Sequence, residues 1–82
     1  MSRQHHDLKI APKYYMEVER GDKTFEVRFN DRNFQKYDIL HLKEWTASDG
    51  YSGREIIAEV TYVLDDANYC KEGYVIMSIK KI

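Results

Sequence analysis

The sequence predicts a mainly β domain of the α+β class, in which a small, partly closed barrel has one helix plugging an open end. The 82 residues leave room for one core, so we expect residues 1–82 to form a single domain. Only one short stretch has helical spacing, whereas most of the remaining chain alternates with a period of two. A flat sheet of so many strands would leave exposed edges, and curling removes edges while it encloses the apolar faces.

A strand and a helix are predicted to open the domain. Residues His6–Ile10 read as a short strand. Pro12 then suits the first turn of a helix, where a missing N–H costs nothing. Gly21 stands where a left-handed C-terminal cap belongs, which predicts a helix over residues 12–20. The side chains at helical spacing within it are Tyr14, Tyr15 and Val18.

The first strand after this helix is predicted from Thr24 to Phe29, because its apolar and polar residues alternate. One face of the strand carries Phe25, Val27 and Phe29, and the other carries Thr24, Glu26 and Arg28. A polar loop of residues 30–33 follows it.

Three further strands are predicted over residues 38–45, over residues 54–64 and from Gly73 onwards. The segment Thr46–Gly53 is rich in turn residues and is expected to be too long for a tight hairpin. A second polar loop is predicted over Asp65–Glu72. The apolar side chains expected to share a face are Ile56, Ala58, Val60, Tyr62 and Leu64 in the longest strand, and Val75, Met77 and Ile79 in the last.

The composition excludes several classes of protein. A net charge of −1 from 13 basic and 14 acidic side chains argues against binding nucleic acid through bulk positive charge. Seven Tyr, three Phe and one Trp argue against disorder. The apolar runs are too short for a membrane span and the chain start lacks a secretory signal, so we expect a cytoplasmic protein. The single cysteine, Cys70, and the adjacent His5 and His6 give no metal-ligand set, so neither metal nor cofactor is expected.

The run Gly21-Asp-Lys-Thr-Phe-Glu-Val-Arg28 resembles the GxKxxExR signature of the ASCH domains, which belong to the PUA-like superfamily. Blocks along nearly the whole chain also resemble the DUF3850 family, an ASCH-like group. These blocks are His6-Asp-Leu-Lys-Ile10, Phe25-Glu-Val-Arg28, Asn30-Asp-Arg32, Phe34, Asp38-Ile-Leu40, Glu44-Trp45, Tyr51-Ser-Gly-Arg54 and Gly73-Tyr-Val75. The resemblance implies a PUA-like β-barrel and a role in binding RNA or nucleotides. It also implies a binding cleft beside the motif, at Lys23, Glu26 and Arg28.

All of the candidate binding residues except Arg32 also have a purely structural interpretation. Glu26 and Arg28 leave the same face of a strand and could read a base edge and a phosphate, or form a solvated ion pair. Lys23 could bind a phosphate, or only favour the negative end of the helix. Arg32 in the following loop could contact a ligand. Trp45 could stack on a base, or fill the core of the barrel.

Three classes of function stay open from the sequence. The first is a non-catalytic module that binds RNA or a nucleotide. The second is a small amidohydrolase acting on an acylated nucleoside, as some small ASCH proteins are. Lys23 matches the lysine of those enzymes, but Glu26 occupies the position of their nucleophilic threonine. The nearest threonine, Thr24, lies one residue after the lysine. A partner glutamate cannot be assigned, although Glu59 and Glu72 are present. The third is a protein–protein adaptor that uses an unpaired sheet edge.

Overall fold

A computed structural model describes residues 3–82 of the chain as one curled sheet with a helix packed against it. The elements are β1 (His5–Ile10), α1 (Pro12–Arg20), β2 (Phe25–Phe29), β3 (Ile39–Thr46), β4 (Gly50–Leu64) and β5 (Tyr74–Lys81). The strand order is β1-β3-β4-β5-β2, with β1 parallel to β3 and the other neighbours antiparallel. The predicted fold class is confirmed: the strands form a five-stranded half-barrel.

The core fills the concave side of the sheet and is covered by α1. The helix contributes Tyr15 and Val18, each only 3% exposed. The predicted helix boundaries are confirmed, with Pro12 in the first turn and Gly21 in the left-handed conformation that ends the helix. The strands supply Leu8, Ile10, Leu40, Leu42, Ile56, Ala58, Val60, Val75, Met77 and Ile79, and Phe34 comes from the loop before β3. Within residues 3–82, no helix is long and apolar enough to cross a membrane.

Side chains bridge the two edge strands of the half-barrel, β1 and β2, where these strands approach each other. Arg28 of β2 donates a hydrogen bond from Nη2 to the Lys9 carbonyl of β1, at 2.9 Å. Arg32, in the loop after β2, donates from Nη1 to the Asp7 carbonyl, at 2.6 Å. The two guanidinium groups thus occupy carbonyls on the open edge of β1, and charged groups at an edge discourage pairing with a foreign strand.

The prediction of a long loop over Thr46–Gly53 is wrong. Thr46 pairs with Gly50 and Trp45 pairs with Tyr51, so β3 and β4 form a hairpin with only residues 47–49 between them. The Thr46 hydroxyl accepts a hydrogen bond from the Asp49 N–H at 3.0 Å, which closes the turn locally. The turn residues that follow Gly50 lie inside β4, between Tyr51 and Glu55, whose partners on β3 are Trp45 and Lys43, so the pairing is irregular at this point.

The prediction that Tyr62 and Leu64 share a face with Val60 is also wrong. β4 advances by two residues from Val60 to Tyr62 while β5 advances by one, from Ile79 to Ser78. This bulge turns Tyr62 outwards, where it is 58% exposed, and brings Val63 against the core instead. An inserted residue shifts the alternation of faces by one, and the sequence pattern alone does not locate it.

Strand β2 has the predicted alternation, but its polar face points into the half-barrel. Phe25, Val27 and Phe29 are 45–56% exposed, whereas Glu26 is 3% exposed. A strand that turns its apolar residues to solvent and a carboxylate inwards is stabilised by polar contacts rather than by hydrophobic burial. Those contacts define the candidate site described below.

We expect Gly73→Ala to destabilise the domain more than Gly21→Ala does. Both glycines have positive φ, +79° and +86°, so alanine at either position costs about 1–2 kcal/mol of backbone strain. A Cβ on Gly73 would also lie 2.7 Å from Cε1 of Phe29, whereas a Cβ on Gly21 meets nothing within 4 Å. Because Phe29 is half-exposed and its ring can shift, we expect a further loss of about 1 kcal/mol at Gly73. Urea unfolding of the two variants measures the difference, and equal losses would contradict the clash.

Candidate functional site

An open cleft of about 760 Å³ lies between the edge strands β1 and β2 and beside α1. It is lined by Lys9, Ile10, Ala11, Tyr14, Glu17, Asp22, Lys23, Phe25, Glu26, Val27 and Arg28. The two strands lie at opposite ends of the strand order, so the cleft exists only because the sheet curls. Its size is within the usual range for small-molecule and cofactor sites.

Lys23, Glu26 and Arg28 converge in this cleft, as expected from the motif. The Glu26 carboxylate lies between the two cations: Oε1 accepts from Lys23 Nζ at 2.5 Å, and Oε2 accepts from Arg28 Nε at 3.0 Å. Arg28 Nη2 is 2.9 Å from the same Oε2. Lys23 Nζ also donates to the Phe25 carbonyl at 2.6 Å.

Burial distinguishes this cluster from an ordinary surface ion pair. The side chain of Glu26 is 4% exposed, and those of Lys23 and Arg28 are 16% and 24% exposed. The alternative of a solvated Glu26–Arg28 pair is therefore wrong. A buried carboxylate must be paired, and here each of its oxygens has a cationic partner. The carboxylate in turn fixes the positions of both cations at the cleft wall.

The cluster retains hydrogen-bond donors for a ligand. Lys23 has three N–H groups, and acceptors within residues 3–82 occupy two of them. Arg28 uses Nε and Nη2, and its Nη1 group has no hydrogen-bond partner in the described part of the chain. The cluster of one carboxylate and two cations carries a formal charge of +1. It can therefore receive an anion or a base carbonyl without losing its internal bonds.

Aromatic rings stand on either side of the Lys23 ammonium. Its Nζ lies 5.7 Å from the ring centroid of Tyr14 and 4.9 Å from that of Phe25. Both rings are about half-exposed, and both line the cleft. Lys23 donates to Glu26 and to the Phe25 carbonyl, not to a carbonyl of α1. An effect on the helix dipole alone does not account for this position.

Arg32 and Trp45 lie outside the cleft. Arg32 bonds to the Asp7 carbonyl at the seam between the edge strands and does not line the cleft. Trp45 is half-buried and lines a separate hollow at the junction between β1 and α1. The Lys9 ammonium lies 4.3 Å from the Trp45 ring centroid. Of the five predicted binding residues, the structure brings three together.

The residues considered for an amidohydrolase do not gather in the cleft. Thr24 does not line the cleft; it lines a separate small hollow, which Lys23 and Ile79 line as well. Glu59 forms an ion pair with Arg3 at 2.8 Å, and Glu72 lies in the exposed loop before β5. Among residues 3–82, no serine, threonine or cysteine lines the cleft.

A buried pair that the sequence reading missed, His6–Asp38, has a structural role. The His6 Nε2 atom lies 2.9 Å from Asp38 Oδ2, and both side chains are less than 10% exposed. The same Asp38 oxygen accepts the Gln35 N–H, and the His6 ring packs on Phe34 in a T-shaped arrangement. The pair ties β1 to the loop before β3. The sequence around His6 does not indicate this pair, because Asp38 lies 32 residues further along the chain.

His5, His41 and Glu55 form a hydrogen-bonded chain on the outer face of the sheet. His41 contacts Glu55 Oε1 through Nδ1 at 2.7 Å and His5 Nδ1 through Nε2 at 2.8 Å. The two ring centroids are 5.1 Å apart, so the facing nitrogens lie nearly on the line between the rings. That geometry fits a shared proton between the rings and does not fit two lone pairs converging on a metal.

Arg54 connects β4 to α1. Its Nη2 group contacts both carboxylate oxygens of Glu19, at 3.0 and 3.1 Å, and its guanidinium lies 4.6 Å from the Tyr15 ring centroid. The hydrogen bond to Glu19, with a smaller contribution from Tyr15, raises the pKa of Arg54 above its ordinary value. Arg54 does not line the cleft between β1 and β2.

Comparison with known proteins assigns the family. The family model described as "Domain of unknown function (DUF3850)" matches residues 5–79. The chain belongs to the DUF3850 family. It is also 36% identical over 72 residues to an uncharacterized 12.9 kDa protein in the GpA 3′ region of Escherichia phage P2. The match covers 88% of this chain and 64% of that protein, so the chain spans less than two thirds of the relative's length.

We expect Glu26→Gln to cost about 2–3 kcal/mol of unfolding free energy. Removing one member of a fully buried ion pair costs about 3–5 kcal/mol, because the remaining charge is left without a partner. We expect a smaller loss here because Lys23 and Arg28 keep some access to water. Glu17→Gln is the matched control, because the exposed Glu17–Arg20 pair contributes at most about 0.5 kcal/mol. Urea unfolding of both variants gives the comparison. A loss at Glu26 no larger than that at Glu17 would show that the cluster does not stabilise β2.

Proposed function

We propose that this DUF3850 domain is an ASCH-like member of the PUA-like superfamily that binds RNA or a nucleotide in the cleft between β1 and β2. The observation that carries the proposal is the Glu26 carboxylate, which holds Lys23 and Arg28 side by side at the wall of an open cleft. Donors fixed in advance lose little conformational entropy when a ligand binds. A guanidinium with an unused edge suits phosphate oxygens or a base carbonyl.

The rest of the cleft lining supports a nucleic-acid ligand of low charge. The half-exposed rings of Tyr14 and Phe25 offer stacking surfaces, and base–aromatic stacking contributes about 1–3 kcal/mol per base. The lining also carries Glu17 and Asp22, so the cleft lacks the strong positive field that would hold a long run of phosphates. Binding therefore uses one or two phosphates and one or two bases, with modest affinity and a salt dependence of about −0.7 in the slope of log K against log salt per phosphate.

We expect Arg28→Met to weaken binding of single-stranded RNA at least ten-fold, because it removes the charged fork from the cleft. Fluorescence anisotropy of end-labelled, mixed-sequence RNA at low salt measures the affinity. If Arg28 contacts one phosphate, the slope of log K against log salt falls by about 0.7. Lys71→Met is the matched control, since it makes the same change of charge on a residue that does not line the cleft.

Two further variants separate charge from geometry. Arg28→Lys keeps the charge, but a lysine ammonium is not a planar fork that can donate to the Glu26 carboxylate and the Lys9 carbonyl together. We therefore expect an intermediate loss of affinity. Lys23→Met tests the second cation. Circular dichroism establishes that each variant is folded before it is titrated. Superimposable curves for wild type and Arg28→Met, or no saturable binding by the wild type at low salt, would refute the proposal.

A further inference from the structure

A second hollow adjoins the cleft at the junction between β1 and α1. It has a volume of about 410 Å³, and its lining is Lys9, Ile10, Ala11, Pro12, Trp45, Thr46 and Ala47. Residues Lys9, Ile10 and Ala11 line the cleft as well. The two concavities therefore meet at residues 9–11, and Lys9 belongs to both.

Trp45 and Lys9 give the second hollow the chemistry of a subsite for one nucleotide. Trp45 is half-buried, so the hollow exposes part of its indole ring, and every base can stack on an aromatic face. The Lys9 ammonium lies 4.3 Å from the ring centroid of Trp45, on an exposed and flexible side chain. It can move from the ring to a phosphate while a base takes its place on the indole.

The backbone of Lys9 is held by the same cluster that forms the cleft. Its carbonyl accepts the hydrogen bond from Arg28 Nη2 at 2.9 Å, and Arg28 in turn is bonded to Glu26. The junction between the two hollows is therefore fixed relative to the cleft donors. The exposed side chain of Lys9 is not part of that hydrogen-bonded cluster, and its ammonium lies over the Trp45 ring.

We infer that the ligand of this domain is a single-stranded RNA segment of at least two nucleotides, not a mononucleotide. This inference rests on the proposed function. One nucleotide occupies the cleft at Lys23 and Arg28, the linking phosphate meets Lys9, and the neighbouring base stacks on Trp45. Alternation of cations with aromatic faces along one path is the usual composition of a single-strand binding groove. A mononucleotide would use the cleft and leave the second hollow empty.

The single tryptophan of the chain allows a direct test with the unaltered protein. Trp45 is that tryptophan and lines the second hollow, so its fluorescence reports on the surroundings of that hollow. The probes are the four nucleoside 5′-monophosphates and a set of RNA trinucleotides of matching bases. We expect trinucleotides to quench the Trp45 emission and to bind at least ten-fold more tightly than monophosphates. The monophosphates should bind, as measured by calorimetry, with little quenching.

Variants of the two residues confirm the assignment of the subsite. We expect Trp45→Leu to lower trinucleotide affinity about ten-fold and to change monophosphate affinity less than two-fold, whereas Trp45→Phe retains most of the trinucleotide affinity. Lys9→Met should weaken trinucleotide binding about five-fold and reduce its salt dependence. If the Trp45 variants fail to fold, the quenching and the dependence on ligand length in the wild type decide the question.

The outcomes separate this inference from the proposed function. Monophosphates and trinucleotides that bind equally, without quenching of Trp45, would overturn the inference and leave the nucleotide-binding cleft in place. Trinucleotide affinity that falls with Arg28→Met but not with Trp45→Leu would overturn it in the same way. No binding of any nucleotide to the wild type would refute both.

Discussion

The charged cluster of Lys23, Glu26 and Arg28 is the interaction on which the architecture of this domain depends. It keeps the polar face of β2 inside the half-barrel and leaves the apolar face of that strand in water. Through Arg28 it also reaches the Lys9 carbonyl, and so bridges the two edges of an open sheet. A ladder of backbone hydrogen bonds there would close the barrel and remove the cleft. Side-chain bridges hold the edges near each other and leave space between them.

Much of the fold follows from the hydrophobic periodicity of the sequence and from the positions of its proline and glycine residues. Pro12 and Gly21 delimit α1 as expected, and the alternating pattern locates every strand. The errors arise at a β-bulge and at a tight turn. The bulge after Val60 reverses the faces of the last residues of β4, and the side-chain bond within Thr46–Gly50 makes the hairpin shorter than its turn residues indicate. Such features depend on the partner strand, which a linear pattern does not contain.

The candidate site was predictable only in part, for the same reason. The motif indicates that Lys23, Glu26 and Arg28 belong together, and the structure brings them together. It does not indicate Lys9, whose contribution comes from a different strand that pairs elsewhere in the sheet. Burial of Glu26 was equally hidden, because alternation in β2 favours burial of its apolar face. Where polar groups take the inside of a strand, composition is a poor guide to which side faces the core.

The pairing of β2 with β5 means that the cleft wall requires the C-terminal strand. Phe25 lies opposite Ser78 and Phe29 opposite Tyr74, about fifty residues later in the chain, whereas β1, β3 and β4 pair among themselves. During synthesis the motif leaves the ribosome long before its hydrogen-bonding neighbour does. Contacts so distant in sequence form late, because a long loop must close first. A nascent or truncated chain that lacks its last strand therefore carries the complete motif but has no pocket.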